Sequence, residues 1–296
     1  TGPSSSGKTK LAIELAKELN GEIISVDSRQ IYKELDIGTA KPSLEEREGI
    51  PHHLIDIIDA DTDFTVANFC DCAKVILNDI FSRGKTPILA GGTGLYFRTL
   101  LQDFDLPRVA PNNDLREKLS LLSPFELYEK LTELDFDTAQ KIHPNNKVKI
   151  IRALEVCLTL GIPMSKAQKK KEAEYDVLWF GLNFENRELL YENINKRTEI
   201  MFDKGLENEA KKLFDKYPQN NILLNTIGYQ EFMPFFENKI SLNDVKEQIK
   251  QNTRHYAKRQ ISWFNSNKSI KTFYVDKTGF EEIKNAVISD FRHLSS

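Results

Sequence analysis

Thr1-Gly2-Pro3-Ser4-Ser5-Ser6-Gly7-Lys8-Thr9 opens the chain, and its reading decides the rest. The stretch fits G-x-x-x-x-G-K-[ST] at Gly2, Gly7, Lys8 and Thr9, the spacing of a phosphate-binding P-loop. Glycines let the backbone fold back and aim several N–H groups inward. An amphipathic pattern over residues 10–19 predicts a helix, whose positive N-terminal end adds to the site. Lys8 supplies a mobile point charge, and the Thr9 hydroxyl can hold a metal ion. The competing reading is a plain Gly/Ser turn; the helix that follows at once favours phosphate binding. The strand that leads into such a loop would lie before Thr1. The motif does not say whose phosphates bind or which bond breaks.

Working outward, Glu22-Ile23-Ile24-Ser25-Val26 is short, apolar and β-branched, as expected of a buried strand in an α/β sheet. It runs into Asp27-Ser28-Arg29-Gln30. Sites in open α/β sheets sit at the carboxyl ends of strands, so Asp27 shares an edge with the P-loop. Two readings of Asp27 stand side by side: an N-cap for a helix starting near Arg29, or a general base or metal-sphere group. Residues 51–58 predict another strand, headed by His52-His53. These histidines fit a catalytic or metal role, or simply hydrogen bonds to a loop. Residues 65–83 carry helical spacing, and residues 86–90 predict a third strand. That strand ends in Gly91-Gly92-Thr93, where many P-loop ATPases place an acidic magnesium ligand. The chain shows no motor-ATPase apparatus.

From residue 111 to about 175 helix follows helix. Strand character returns at 176–184 and 270–275, with further helices at 187–202, 205–217, 231–238, 242–265 and 280–291. The expected fold class is therefore α/β: a parallel-sheet core of P-loop NTP-hydrolase type with a helical insertion domain. The core spans 1–110 and 176–296, and the insertion 111–175. Within the insertion, Arg152 and Glu155 share a helix face at i,i+3. The four lysines within 166–171 read as a solvated or a phosphate-contacting face. In the last long helix Tyr256, Arg259 and Trp263 mix aromatic and cationic groups. That suits either nucleic-acid contact or an aromatic stripe turned inward.

Composition narrows the class. The chain has 296 residues, 40% hydrophobic and 29% charged, with a net charge of −3. Nucleic-acid contact must then come from local basic patches. Three cysteines, Cys70, Cys72 and Cys157, match no zinc spacing and suit a reducing, cytoplasmic compartment. No run of apolar residues long enough to span a membrane exists, and the start carries no apolar signal segment.

The chain resembles the bacterial tRNA dimethylallyltransferases, also called tRNA isopentenyltransferases. The resemblance rests on nine blocks in family order: GPSSSGKT (2–9), SVDSRQIY (25–32), DIGTAKP (36–42), PHHLID (51–56), GGTGLY (91–96), IHPNN (142–146), RALE (152–155), IGYQE (227–231) and RHYAKRQISWF (254–264). It implies transfer of a dimethylallyl group from dimethylallyl diphosphate to N6 of adenosine 37 in the anticodon stem-loop of tRNA. The partners are then tRNA and dimethylallyl diphosphate, with Mg2+ as cofactor, and the expected state is a monomer away from membranes. Gly2, Pro3, Ser4, Ser5, Ser6, Gly7, Lys8 and Thr9 would hold the diphosphate together with Arg197, and Thr9 the Mg2+. Asp27 matches the family's catalytic aspartate, and Ser4 falls where the family has a catalytic threonine. Asp27, Ser28, Arg29, Gln30, Thr93, Arg116, Val148, Lys149, Ile150, Ile151, Arg152, Asn225, Thr226, Ile227, Gly228, Tyr229 and Gln230 would contact tRNA. Departures are Ser4 itself, Ser262 for a threonine and Asn265 for a basic residue. Three alternatives remain at this level: a P-loop small-molecule kinase, an adenylate isopentenyltransferase acting on free nucleotides, and a non-catalytic RNA-binding protein.

Overall fold

A computed structural model of the chain describes residues 1–101, 107–167 and 174–295. The described residues divide into two compact units, 1–97 with 176–295, and 98–175. In chain order the elements are α1 (Lys8–Glu18), β1 (Gly21–Val26), β2 (His52–His53), α2 (Val66–Ser82), β3 (Thr86–Gly91) and α3 (Gly94–Leu101). Next come α4 (Asn113–Ser120), α5 (Pro124–Leu134), α6 (Phe136–Ala139), α7 (Lys147–Leu160) and α8 (Met164–Ala167). The chain closes with β4 (Phe180–Asn183), α9 (Arg187–Asp203), α10 (Leu206–Lys216), α11 (Asn221–Leu224), α12 (Met233–Phe236), α13 (Leu242–Asn265), β5 (Lys271–Tyr274) and α14 (Phe280–Ser295). The class is α/β with small parallel sheets. No described helix is long and apolar enough to cross a membrane.

β1 is buried along its whole length, as expected of a central parallel strand, with Glu22 and Ser25 buried beside Ile23, Ile24 and Val26. It pairs in parallel with β3 from Gly21–Thr86 to Val26–Gly91, and with β2 at Ile23–His52 and Ile24–His53. β4 and β5 form a second parallel pair. Thr1 lies alongside β4: its amine donates to the Phe180 carbonyl at 2.7 Å, and its own carbonyl accepts Leu182 N–H at 2.9 Å. Its hydroxyl reaches the Gly91 carbonyl at 3.5 Å. The P-loop therefore starts beside the carboxyl end of β3. α1 buries Leu11 and Leu15 against Leu182 and α14, and Ala12, Ile13 and Ala16 against Ile23. A second core gathers Ile31, Tyr32 and Leu35 with α10, Tyr229, Phe232, Val245 and Ile249.

The strand expected over 51–58 shortens to His52–His53. Leu54 and Asp56 both adopt φ of 59°, which breaks an extended run. The turn brings the Asp56 carboxylate to Lys41 Nζ, whose side chain is only 3% exposed and also donates to Tyr32 O and Asp36. Burial of that ammonium demands partners, and they outweigh local strand propensity. Both histidines serve the scaffold: His52 Nδ1 bonds Ile50 O, and His53 Nε2 bonds Glu22. The helix expected over 231–238 splits into a 3-10 turn, Gln230–Phe232, and α12.

The 98–175 unit packs α4, α5, α6 and α7 around Leu119, Leu127, Leu131, Ile150 and Leu154. Ser123 caps α5 with a reciprocal capping box through Glu126, worth about 1 kcal/mol. α7 ends at Gly161, which takes φ 67° as a left-handed cap. Lys169, Lys170 and Lys171 of the basic run lie outside the described residues.

Candidate active site

The P-loop closes on itself as a nest. Ser5 at φ 63° and Gly7 at φ 89° reverse the backbone hand, which turns successive N–H groups to one side. α1 starts directly from Gly7, and no side chain caps its N-terminus. The Ser5 and Ser6 hydroxyls are buried without a hydrogen-bond partner. Buried hydroxyls normally have partners, so uncapped N–H groups and two orphaned hydroxyls together describe a built anion seat. Lys8 Nζ meanwhile donates to the Pro3 carbonyl at 2.6 Å.

A cavity of about 350 Å³ opens beside Ser4. Asp27, Ser28 and Arg29 from the end of β1, and Gly38 and Thr39 from the following loop, form one side. Ile194, Arg197, Thr198 and Met201 on α9 form another. Asn225 to Gly228 and Gln230, then Ile249, Asn252, Thr253, His255, Tyr256 and Arg259 on α13, close it. No helix starts near Arg29: residues 28–31 are turns. Asp27 Oδ1 instead accepts Arg29 N–H at 2.8 Å and Gln30 N–H at 3.3 Å, an Asx-type turn. Oδ2 takes no partner among the described residues, and Asp27 lines the cavity. The N-cap reading of Asp27 thus becomes a turn anchor, and it leaves one carboxylate oxygen for chemistry.

Arg197 and Asp27 line this cavity, and Lys8 interacts electrostatically with both from the adjoining P-loop. The enclosed Lys8 ammonium is held down to about 7 by burial, and the nearby Arg197 guanidinium adds to this against the pull of Asp27. Burial likewise lowers Arg197, with Asp27 and then Glu46 opposing. Two half-buried cations thus crowd each other beside Asp27, with Glu46 also acting on Arg197, a pattern typical of functional sites. Burial, reinforced by the Asp27 charge, pushes the Tyr256 phenol up to about 12, so it remains a donor at any working pH.

Comparison with known proteins shows the family. Residues 30–267 match the family model described as IPP transferase. The tRNA dimethylallyltransferase of Anoxybacillus flavithermus is 45% identical over 291 residues, spanning 97% of this chain and 93% of its own length. The chain belongs to the tRNA dimethylallyltransferase (IPP transferase) family. The solved tRNA isopentenylpyrophosphate transferase of Staphylococcus epidermidis superposes with a TM-score of 0.74 at 37% identity, over 99% of this chain and 97% of that one. A eukaryotic dimethylallyltransferase acting on tRNA gives 0.82 at 30% identity, over 98% and 78%.

Within this dimethylallyltransferase-family chain, the structure sorts the residues that the sequence grouped. Ser4, Asp27, Ser28, Arg29, Arg197, Asn225, Thr226, Ile227, Gly228 and Gln230 all line one cavity. Thr93 joins them through hydrogen bonding, its hydroxyl accepting Ser28 N–H at 3.1 Å. Tyr229 does not offer its side chain: it is wholly buried, and its hydroxyl donates to Glu209 at 2.7 Å. Glu209 also accepts the Ile37 and Gly38 N–H groups, so Tyr229 fastens the cavity wall. Ile150 is likewise wholly buried in the helical core, whereas Val148 is 79% exposed. Neither side chain has accessible surface to offer RNA, so any contact at these two positions would fall to the backbone. Arg116 and Arg152 both bind the buried Glu155 carboxylate, Arg116 through Nε at 2.8 Å.

The sequence reading missed Gly38, Thr39, Ile194, Thr198, Met201, Ile249 and Asn252 as cavity residues. Their spacing within helices and loops is that of ordinary core and turn positions, so no local signal marks them. Tyr256 and Arg259 were visible as an aromatic–cationic stripe, and here that stripe faces the cavity.

Proposed function

We propose that the chain transfers a dimethylallyl group from dimethylallyl diphosphate to N6 of adenosine 37 in tRNA, releasing diphosphate. The observation that carries this reading is the pairing of an anion seat, flanked by half-buried Lys8 and Arg197, with the Asp27 carboxylate at the cavity that opens beside Ser4. A diphosphate leaving group suits the seat, and a carboxylate suits an amine that must lose a proton. The core is then of P-loop NTP-hydrolase type, with residues 111–175 as a helical insertion that contributes Arg116, Val148, Lys149, Ile151 and Arg152 to tRNA contact. The enzyme works as a cytoplasmic monomer on the anticodon stem-loop.

In the reaction the adenine N6 attacks C1 of the allyl group, and the C1–O bond to diphosphate breaks. Asp27 Oδ2 receives the N6 proton. Lys8, the P-loop N–H groups, the Ser5 and Ser6 hydroxyls and Arg197 hold the charge that develops on the departing oxygens. The Ser4 hydroxyl, at the cavity edge, meets the bridging region of the diphosphate. The donor chemistry fits Mg2+: Thr9 is an exposed hydroxyl in the first turn of α1, and Mg2+ favours one or two protein oxygens plus substrate phosphates and water. Mg2+ bound there would neutralise part of the diphosphate charge. The target base must leave the loop stack to reach Asp27 in the cavity.

Incubation with dimethylallyl diphosphate, Mg2+ and unmodified tRNA, followed by mass spectrometry of the nucleosides, tests the reading. N6-(dimethylallyl)adenosine at a single position is expected. Unmodified tRNA at the end of the reaction contradicts it.

A further inference from the structure

Between the P-loop and the end of β3 sits one buried amide. Gln260 on α13 is 5% exposed. Its Oε1 accepts Ser4 N–H at 2.9 Å, and its Nε2 donates to the Gly92 carbonyl at 3.0 Å. The site is built around that amide: a Cβ at Gly92 would lie 2.1 Å from Nε2. Gly92 adjoins Thr93, whose N–H donates to Val26 O at 3.2 Å and whose hydroxyl accepts Ser28 N–H. Ser28 follows Asp27 in the chain. A continuous polar path thus joins Ser4, on the diphosphate side, to the turn that aims Asp27 on the acceptor side. α13 reinforces the same loop from neighbouring turns. Tyr256 lies beside Thr93, and the Trp263 ring covers Gly94, where a Cβ would meet it at 2.3 Å.

The chemistry of the link is specific. Ser4 N–H needs an acceptor and Gly92 C=O needs a donor, about one amide width apart. The glutamine amide carries both at that reach. A carboxylate would set an oxygen against the Gly92 carbonyl, and an apolar side chain would leave both backbone groups unpaired. Because its N–H is spent on Gln260, Ser4 can offer the cavity only its hydroxyl.

We propose that Gln260 is a positioning residue that fixes the spacing between the diphosphate-holding loop and the loop carrying Thr93, and so governs bond making rather than binding of either substrate. The inference rests on the transfer reading above. Misplacing reacting groups by about 1 Å costs on the order of 100-fold in rate.

The test compares wild type, Gln260→Met, Gln260→Glu and Gly92→Ala, well below their melting temperatures. It measures single-turnover transfer at saturating dimethylallyl diphosphate and tRNA, and separately the binding of inorganic diphosphate. Expected for Gln260→Met and Gly92→Ala is a fall in rate on the order of 100-fold, with diphosphate affinity little changed. Gln260→Glu carries its own check. A protonated carboxyl has one donor and one acceptor, as the amide does. Its rate relative to wild type should therefore recover as pH falls from 8 to 6, while Gln260→Met stays slow at both. Should Gln260→Met fail to fold, Gly92→Ala and the Gln260→Glu pH profile decide. Near-wild-type rates in the variants overturn the proposal. So does a loss confined to diphosphate affinity, or a Gln260→Glu deficit that does not change with pH. If wild type itself makes no product, the transfer reading fails instead, which separates the two ideas.

Discussion

Buried charge is handled in opposite ways in two regions of this molecule. In the helical unit Glu155 has no exposed surface, yet its carboxylate takes Arg116, Arg152 and the Asn112 N–H. Burial pushes that carboxyl up, but the Arg116 bond and its companions bring it below the usual carboxylate range. Glu22 repeats the pattern with Arg83, Lys85 and His53, and is held far below that range. Around the P-loop the signs reverse and the ledger stays open. Lys8 and Arg197 crowd each other, and Asp27 already lends one oxygen to a turn. Closed charge clusters hold a scaffold. An open one, beside orphaned hydroxyls and an uncapped helix, has the chemistry to take an anion.

The contrast can be broken most sharply at Asp27. Asp27→Asn keeps the Oδ1 acceptor for the turn but removes the base. Transfer should fall by about 10² to 10⁴-fold, with tRNA binding nearly unchanged, as read by single-turnover kinetics and filter binding. Parallel loss of binding and rate would make Asp27 a structural residue. Arg197→Ala should lower transfer by about 10² to 10³-fold and weaken use of dimethylallyl diphosphate. Its melting temperature should hold or rise, since a half-buried like charge beside Lys8 is gone. A clear drop in melting temperature would place Arg197 with the closed clusters. The smallest effect belongs to Glu155→Gln, which strands Arg116 and Arg152. It should cost about 1–3 kcal/mol of stability without altering diphosphate binding, as read by denaturant unfolding and calorimetry.

Much of this was legible in the sequence because it is local. The P-loop, the β1 and β3 strands and α2, α7, α9 and α13 follow from short-range pattern. Asp27 was placed at the site edge by the strand-end rule alone. What escaped depends on distant partners. The 51–58 strand broke because Lys41 needed Asp56. Tyr229 and Ile150 fall among the residues that the resemblance assigns to tRNA, yet Tyr229 is buried on Glu209 and Ile150 against α5. Gln260 looked like one more polar residue in a basic helix, because its two partners lie 256 and 168 positions away. Chain separation of that size leaves no trace in periodicity.

The open cluster makes one direct claim on titration. Burial, with the Arg197 charge adding to it against Asp27, holds Lys8 down to about 7. A bound diphosphate would restore its charge and raise it, so binding should take up a proton above pH 7. Affinity should be full below pH 7 and weaken as pH rises through and beyond it. Calorimetric titration of inorganic diphosphate at pH 8, in two buffers of different ionisation enthalpy, measures this. Wild type should take up roughly one proton more than Lys8→Arg, whose guanidinium is charged throughout. Equal proton uptake by the two proteins would show that Lys8 is already charged and paired, and that the P-loop is not the anion seat described here.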